Sequence, residues 1–308
     1  MCAKQVMTAL APTGAQTSAV KPRKKSSATE STHRETSKTA VLLEPGPAGV
    51  DRLEVDYSGP WPKFTLNAAG ITIFEGEWRG SLEIDGKAVP LTGQWDWCCW
   101  HGDEDGSYLE LELPLGPHLK LERQFFLARG QHRLLLGETV VSGKDARSIR
   151  VVSELPLAAK VTAAPDRPTR ELKLKARGRP ARFFPLDLPQ DRVDSTRGAA
   201  TTADGTVRLE RHGTGRGLYS AGVIDWQPER TRAPVDWRTL TVSEDGVQLG
   251  RDMAAGFRIR LGDEQWLVYR QIHRSAVARC LLGYHTYYES VVGRVLPKGE
   301  IKTLLQIQ

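Results

Sequence analysis

The sequence predicts an all-β protein built as a large antiparallel β-sandwich. From about residue 45 onwards, short segments alternate apolar and polar residues at the two-residue period of a strand, as in Leu109–Leu113 and Phe257–Leu261. Glycine, proline and aspartate turns separate these segments at intervals of about 8–12 residues, the spacing typical of sandwiches and barrels. The sequence has no internal repeat of fixed length, which argues against a propeller or a solenoid.

Strands are expected along the whole body, with a weaker region in the middle. Before residue 155 they are predicted near 53–57, 63–67, 70–75, 78–84, 94–100, 107–113, 118–128, 132–142 and 147–154. Residues 157–205 contain five prolines and are expected to hold two or three short strands among loops. Later strands are predicted near 206–212, 217–225, 235–242, 246–250, 255–261, 265–272, 280–294 and 299–307. Gln271–Leu282 is the one segment whose apolar spacing also suits a helix.

Arg123 conflicts with the pattern of its own predicted strand. Regular pleating places it on the same face as Leu121 and Phe125, so its guanidinium would lie among apolar neighbours. A buried charge requires a partner. Either a bulge turns Arg123 outward, or it pairs with a carboxylate such as Glu138 on the next strand.

Positive charge is concentrated at the start of the chain. Residues 1–40 carry seven basic and two acidic side chains, a net charge of +5, whereas the whole chain carries +6. The remainder is therefore nearly neutral, which argues against nucleic-acid binding by the folded body. Residues 1–45 are predicted to be a disordered basic tail, since they hold little that could pack. Pro45-Gly46-Pro47 marks the junction with one β-sandwich domain over residues 46–308.

The sequence carries no sign of export or of membrane insertion. No apolar run reaches the roughly 18 residues that a transmembrane helix needs. The apolar stretch near Val6 is too short and too polar for a signal peptide. The four cysteines (Cys2, Cys98, Cys99 and Cys280) do not have the spacing of a disulfide framework. These observations favour a cytoplasmic protein, and they leave the oligomeric state open.

The densest functional candidate is an aromatic cluster. Three of the eight tryptophans (Trp95, Trp97 and Trp100) lie within six positions and are followed by His101. On a regular strand Trp95 and Trp97 face one way and Trp100 the other. Exposing Trp95 and Trp97 together would create roughly 300–500 Å² of apolar surface, near the most that a soluble monomer tolerates. At least one face is therefore core, and the other either packs as well or offers a sugar-stacking platform. These four residues are the candidate ligand-binding set.

No metal ion or cofactor is predicted. Asp103–Gly106 resembles a calcium loop at first, but the sixth position of an EF-hand requires glycine and is occupied here by Tyr108. An acidic hairpin turn accounts for this segment better. Adjacent Cys98 and Cys99 do not form a chelating pattern for zinc. Gly213–Gly217 lies between strands and lacks the following helix that phosphate loops use.

The last third of the chain is rich in tyrosine, histidine and arginine. Arginine can hold a sugar carboxylate in bidentate fashion, and tyrosine or histidine can move a proton. The catalytic candidates are Arg123, Tyr269, Arg270, His273 and His285. Half-exposed tyrosines and histidines on edge strands also occur for structural reasons, so both interpretations stay open.

Six stretches of the body carry a resemblance to a known family: Tyr108–Leu113, Leu121–Phe125, Arg133–Leu136, Glu264–Arg270, Leu282-Gly283 and Glu289–Arg294. Together they resemble the C-terminal β-sandwich module of heparinase II/III-type polysaccharide lyases and of related bacterial proteins. The resemblance covers about residues 75–308. It implies a two-sheet supersandwich of the galactose-mutarotase type. In those lyases the catalytic tyrosine and histidine lie largely on a preceding helical domain, whereas a tail precedes the module here. No catalytic residue is carried over.

The main functional expectation is a non-catalytic module that binds carbohydrate or a protein partner. The alternatives are an enzyme acting on uronate-containing or other sugars, as a lyase or an epimerase, and a structural subunit. Convergence of Tyr269, Arg270, His273 and His285 in one groove would favour the enzyme, and their separation would count against it.

Overall fold

The computed structural model describes residues 30–46, 49–192 and 196–308, and nearly all regular structure in these ranges is β-strand. The predicted all-β class is confirmed. Among the described residues the helical structure is limited to one 3₁₀ turn, Pro228–Arg230. The helix considered over 271–282 is absent, and the chain there turns before the short strand Arg279–Leu281.

The first sixteen strands form two antiparallel sheets. Sheet I contains β1 (Thr32–Arg34), β2 (Thr39–Gly46), β3 (Gly49–Asp56), β4 (Lys63–Ala68) and β5 (Ile71–Glu77), in that spatial order. Sheet II contains β6 (Arg79–Ile84), β7 (Lys87–Val89), β8 (Asp96–Gly102), β9 (Gly106–Gly116), β10 (Leu119–Ala128), β11 (Arg133–Pro156), β12 (Val161–Pro165), β13 (Leu172–Ala176), β14 (Arg179–Pro185), β15 (Gly198–Ala203) and β16 (Thr206–Asp225). Its main order is β12-β13-β14-β16-β11-β10-β9-β8. In addition β15 pairs with β16, and β6 pairs with both β7 and β11.

The last nine strands form two smaller antiparallel sheets. In chain order they are β17 (Val235–Leu240), β18 (Ser243–Glu244), β19 (Val247–Gln248), β20 (Ala254–Leu261), β21 (Glu264–Gln271), β22 (Arg279–Leu281), β23 (Tyr284–Thr286), β24 (Ser290–Val295) and β25 (Ile301–Ile307). Sheet III has the order β17-β20-β21-β24-β25, and sheet IV has the order β19-β18-β22-β23.

The four sheets stack around three apolar cores. Core 1 joins sheet I to one face of sheet II, as Leu53 and Phe125 illustrate. Core 2 joins the other face of sheet II to sheet III, through residues such as Phe126 and Trp266. Core 3 lies between sheet III and sheet IV and includes Tyr269. The molecule thus has four sheets where two were expected, because the C-terminal strands add layers of their own.

Burial on both faces explains the continuous apolar runs in the sequence. In β11, Leu134 and Leu136 enter core 1, whereas Leu135 between them enters core 2. In β21, Trp266 enters core 2 and its neighbour Leu267 enters core 3. Successive side chains of a strand point to opposite faces, so a strand covered on both sides needs apolar residues at every position.

The folded body begins earlier than predicted. Strands β1 and β2 belong to sheet I, and Ala40, Leu42 and Leu43 are buried. Leu42 pairs with Leu53 of β3, and both side chains enter core 1. The proposed tail boundary at residue 45 is therefore wrong, because residues 39–46 supply apolar side chains in strand register. Residues 1–29, the rest of the predicted tail, lie outside the described residues.

Several predicted turns lie inside longer strands. Strand β11 joins the two strands predicted at 132–142 and 147–154, and β16 joins those predicted at 206–212 and 217–225. The β11–β16 pairing shifts register between Val141 and Ile149, so the extra residues are absorbed as irregularities. Conversely, the single strand predicted at 280–294 is divided into β22, β23 and β24.

Arg123 stays on the apolar face and is fully buried, with 0% of its surface exposed. Its Nε donates to Glu138 Oε1 at 3.0 Å, and the two residues are direct cross-strand partners. The guanidinium lies over the rings of Trp78 and Trp95 at 4.5 and 4.9 Å from their centroids. The ion-pair alternative is therefore confirmed, and the outward bulge is wrong.

The described ranges include no helix with the length and apolar character needed to cross a bilayer.

Candidate binding groove

A groove of about 550 Å³ opens where the edge of sheet II meets sheet III. Strands β8, β9 and β10 form one wall, and the segment that follows β21 forms the other. The residues that line it are Trp97, Cys98, Cys99, Glu110, Glu112, Lys120, Glu122, Ile272, His273, Arg274, Glu289 and Ile307. Acidic and basic groups dominate this surface, which is unusual for the space between two sheets.

A buried arginine organises the floor of the groove. Arg270 of β21 is 1% exposed, and its Nη2 lies 2.5 Å from both Glu110 Oε1 and Glu122 Oε2. Glu289 approaches the same nitrogen at 3.1 Å, and Nη1 donates to Ser290 Oγ at 2.6 Å. One guanidinium therefore ties β9 and β10 of sheet II to sheet III. Burial alone would lower the pKa of Arg270, but these carboxylates outweigh it and hold that pKa well above its ordinary value.

The two glutamates that contact Arg270 have pKa values shifted in opposite directions. Burial raises the pKa of Glu110, and the neighbouring Glu122 charge adds to this, although Arg270 opposes it. Burial also disfavours the charged form of Glu122, but Arg270 and Lys120 outweigh burial and lower its pKa. Lys120 Nζ lies 2.5 Å from Glu122 Oε1, a contact that Glu110 lacks. Groups with separated pKa values are the arrangement that acid–base sites use.

Cys98 lines the groove but is not prepared for nucleophilic attack. Burial raises the pKa of its thiol, and the carboxylate of Glu110 raises it further. The Sγ donates to the backbone oxygen of Glu110 at 3.6 Å. Since the thiolate is the nucleophile and the metal ligand, this thiol is inert at neutral pH. Within the part of the chain that the structure describes, no group of three or more Cys, His, Asp and Glu side chains could hold a metal ion.

The aromatic cluster divides around a bulge at Cys98. The β8–β9 register shifts between Trp97 and Cys99, so Trp97 and Trp100 both pack against core 1 instead of facing opposite ways. His33 of β1 contacts both rings, edge-on to Trp97 at 5.0 Å and stacked on Trp100 at 5.4 Å. Of the two tryptophans, Trp97 lines the groove.

The other two members of the predicted ligand-binding set lie elsewhere. Trp95 is 0% exposed, and its Nε1 donates to the backbone oxygen of Pro60 at 3.1 Å, so it is a core residue and its assignment to ligand binding is wrong. His101 is half-buried at the β8–β9 hairpin, where its Nε2 lies 2.9 Å from Asp103 Oδ2. Asp103 Oδ1 accepts from the backbone N–H groups of Asp105 and Gly106, as in an acidic turn.

The structure separates the catalytic candidates. His273 lines the groove, and its Nε2 lies 3.0 Å from the backbone oxygen of Arg216. Arg270 lies beneath the groove, paired with the lining residues Glu110, Glu122 and Glu289. Tyr269 points to the opposite face of sheet III and is buried in core 3. His285 is exposed on β23 of sheet IV, and Arg123 lies in core 1. Of the four residues whose convergence would favour an enzyme, only Arg270 and His273 therefore lie at the groove.

Sequence reasoning missed the glutamates that surround Arg270. Glu110 and Glu122 lie on the polar face of alternating strands, a pattern typical of solvent-facing positions. A signal was nonetheless present, because Glu112 and Glu122 pair directly across β9 and β10. Like charges opposite each other are destabilising unless a counter-charge lies between them. Such a pair predicts a nearby cation, which the structure supplies as Lys120 and Arg270.

Comparison with known proteins yields structural neighbours alone. None of the protein-family models matches the sequence, and no curated protein matches it. Heparan sulfate lyase HepC from Pedobacter heparinus aligns with a TM-score of 0.53 at 10% identity, over 82% of this chain and 44% of the lyase. A crystal structure of heparinase III gives 0.54 at 10% identity, over 80% and 43%. A heparinase III with methylated lysines gives 0.52 at 11% identity, over 79% and 42%.

These alignments concern the fold alone. The chain spans less than half the length of each of these lyases, and the sequence identity is 10–11%. Across about four-fifths of its length, this chain therefore has a fold similar to a β-region of heparinase III lyases.

Proposed function

We propose that the protein binds carbohydrate in the groove between sheets II and III, as a module that recognises sugar without transforming it. The observation that carries this proposal is the meeting of carboxylates, cations and an indole in one cavity of about 550 Å³. Sugar hydroxyls both donate and accept hydrogen bonds, so they suit paired charged groups. Trp97 supplies apolar surface for the carbon face of a ring. The fold likeness to heparinase III lyases supports the same class of ligand.

The charge of the groove narrows the class of sugar. The cations in and beneath the groove already form ion pairs. Lys120 pairs with Glu122, and Arg270 pairs with Glu110, Glu122 and Glu289. Arg274 is mostly exposed and lies 3.8 Å from Glu289. Four glutamates line the groove against these three cations, so no positive charge is left over to attract a polyanion. The groove therefore favours an uncharged or amino sugar over a sulfated or uronate-rich chain.

A glycan array probed with the full chain tests this proposal, followed by calorimetry on the sugars that bind. Trp97→Ala and Glu112→Gln should each weaken binding by about tenfold, since each removes a contact worth about 1.4 kcal/mol. Trp97→Phe is the matched control, because it keeps an aromatic surface and should retain most of the affinity. A blank array, or binding that neither groove variant weakens, would rule the proposal out. Selective capture of acidic polysaccharides would also contradict it.

A second candidate is proton-transfer chemistry on a sugar at the same groove. The observation that favours it is the separation of pKa values between Glu110, raised, and Glu122, lowered. Glu110 would act as the acid and Glu122 as the base. Arg123, Tyr269 and His285 lie outside the groove and take no part. Incubation with a panel of neutral sugars and uronates, followed by NMR for epimers and ultraviolet absorbance for unsaturated products, tests this candidate. Turnover that Glu122→Gln abolishes would favour it over simple binding.

A further inference from the structure

A second cavity, which shares no lining residue with the groove, contains a histidine that can accept a hydrogen bond. This cavity, of about 220 Å³, lies at one end of the stack formed by sheets I and II. The β4–β5 and β13–β14 hairpins form its sides, and the segment after β16 closes it. The residues that line it are Ala68, Ala69, Ile71, Ile73, His132, Ala176, Gly178, Arg179, Pro180, Ala181, Trp226 and Pro228. Apart from His132 and Arg179, the lining is almost entirely apolar.

Asp51 fixes the tautomer of His132. Asp51 Oδ1 accepts from the backbone N–H of Ala69 at 2.9 Å and from Trp226 Nε1 at 3.1 Å. Asp51 Oδ2 lies 2.8 Å from His132 Nδ1. A carboxylate surrounded by donors accepts from the imidazole as well, so Nδ1 carries the proton. In the neutral ring, Nε2 then presents its lone pair.

That lone pair is held in an apolar place without a protein partner. His132 is 8% exposed, and no group in the described ranges forms a hydrogen bond with its Nε2. His132 also has a φ of 53°, a left-handed conformation that side chains other than glycine adopt rarely. Eight other non-glycine residues in the described ranges have a positive φ, and His132 adopts it in the β10–β11 turn.

We propose that this cavity binds a small aromatic molecule, of the size of a phenol or an indole, that donates one hydrogen bond to His132 Nε2. A cavity of roughly 150 Å³ is sufficient for benzene, so 220 Å³ accommodates one ring with a substituent or a fused ring. Trp226 supplies a ring for edge-to-face contact, and the small side chains of Ala176 and Ala181 leave the space open. This site is independent of the sugar groove, and neither proposal requires the other.

Calorimetric titration of the full chain with p-cresol, indole and toluene tests this proposal. Toluene matches p-cresol in shape but lacks the donor. We expect p-cresol to bind about tenfold more tightly than toluene, the value of one hydrogen bond to a buried acceptor. Indole, which donates N–H, should bind as well. Equal affinity for p-cresol and toluene would overturn the assignment of His132, and the absence of saturable binding by all three would overturn the site.

Two variants locate the binding. Ala181→Leu fills the cavity and should abolish binding of all three compounds, whereas retained binding would place it elsewhere. His132→Asn keeps a residue that tolerates the left-handed conformation and should remove the preference for p-cresol over toluene. Glu112→Gln, in the sugar groove, is the matched control and should leave all three affinities unchanged.

If a cavity variant fails to fold, nitrogen NMR of the unmodified protein tests whether the ligand contacts His132. At saturating ligand, the His132 Nε2 resonance must shift clearly more with p-cresol than with toluene, and equal shifts would overturn the hydrogen bond.

Discussion

At the scale of single residues, Glu110 and Glu122 share one guanidinium but respond to pH in opposite directions. Glu110 has a raised pKa, so its contribution to stability is complete below the ordinary glutamate value of 4.5 and is lost as pH rises through its folded pKa. Glu122 has a lowered pKa, so its contribution is present above 4.5 and is lost as pH falls through its folded pKa. The two residues therefore give the protein opposing pH slopes from one cluster.

This difference predicts unequal effects of removing each charge. At neutral pH Glu122→Gln should destabilise the protein by about 3–5 kcal/mol, because it breaks a buried pair with Arg270. Glu110→Gln should cost clearly less, since the amide replaces a group whose charged form the fold disfavours. Urea denaturation of both variants at about pH 5 and about pH 8 measures the effect. Equal losses for the two variants at neutral pH would contradict the opposite pKa shifts of the two glutamates.

Arg123 permits a test of buried charge in core 1. Arg123→Met leaves Glu138 buried without its counter-charge and should cost about 3–5 kcal/mol. Adding Glu138→Gln should recover part of that loss, because no unpaired charge then remains. A double-mutant cycle measured by urea denaturation should give a coupling energy of about 1–3 kcal/mol. Additive losses would show that the ring contacts of Arg123, and not the ion pair, account for its role.

At the scale of elements, the close approach of β9 and β10 depends on Gly106. A Cβ atom at this position would lie 2.6 Å from the backbone oxygen of Leu127 and 2.7 Å from the Phe126 ring. Gly106→Ala should therefore destabilise the protein by about 1–3 kcal/mol, the usual effect of overpacking. Gly116→Ala, at the other end of β9, is the matched control, because a Cβ there has no neighbour within 4 Å. Thermal unfolding compares the two, and equal melting temperatures would contradict this account.

The strands themselves were largely predictable, because alternation and turn residues report local geometry. Tertiary effects decided the rest. The bulge at Cys98 moves Trp100 to the face of Trp97, and no local signal indicates where a bulge forms. The groove was harder to predict for a related reason. Glu110 and Glu122 have the spacing of solvent-facing residues, and their burial follows from the packing of sheet III over them. Alternation shows which residues share a face, but it does not show what covers that face.

At the scale of the whole molecule, sheet II belongs to two cores at once. Leu135 and Leu136 are neighbours in β11 but enter cores 2 and 1 respectively. We predict that Leu135→Ala and Leu136→Ala each cost about 2–5 kcal/mol and leave one cooperative transition, because damage on either face reaches the shared sheet. Circular dichroism and tryptophan fluorescence should report the same midpoint for each variant. Two separate transitions in either variant would show that the layers unfold independently.

The pairing of β11 with β16 has a consequence for synthesis on the ribosome. One edge of β11 pairs with β10 and β6, which precede it in the chain, whereas the other edge must wait for residues 206–225. At about 5–20 residues per second, roughly 3–14 seconds pass between the emergence of Pro156 and that of Asp225. During that interval a 24-residue strand presents open backbone groups to solvent or to a neighbouring nascent chain. Slowed translation within residues 157–205 should therefore increase aggregation, and a chaperone that covers strand edges should suppress it.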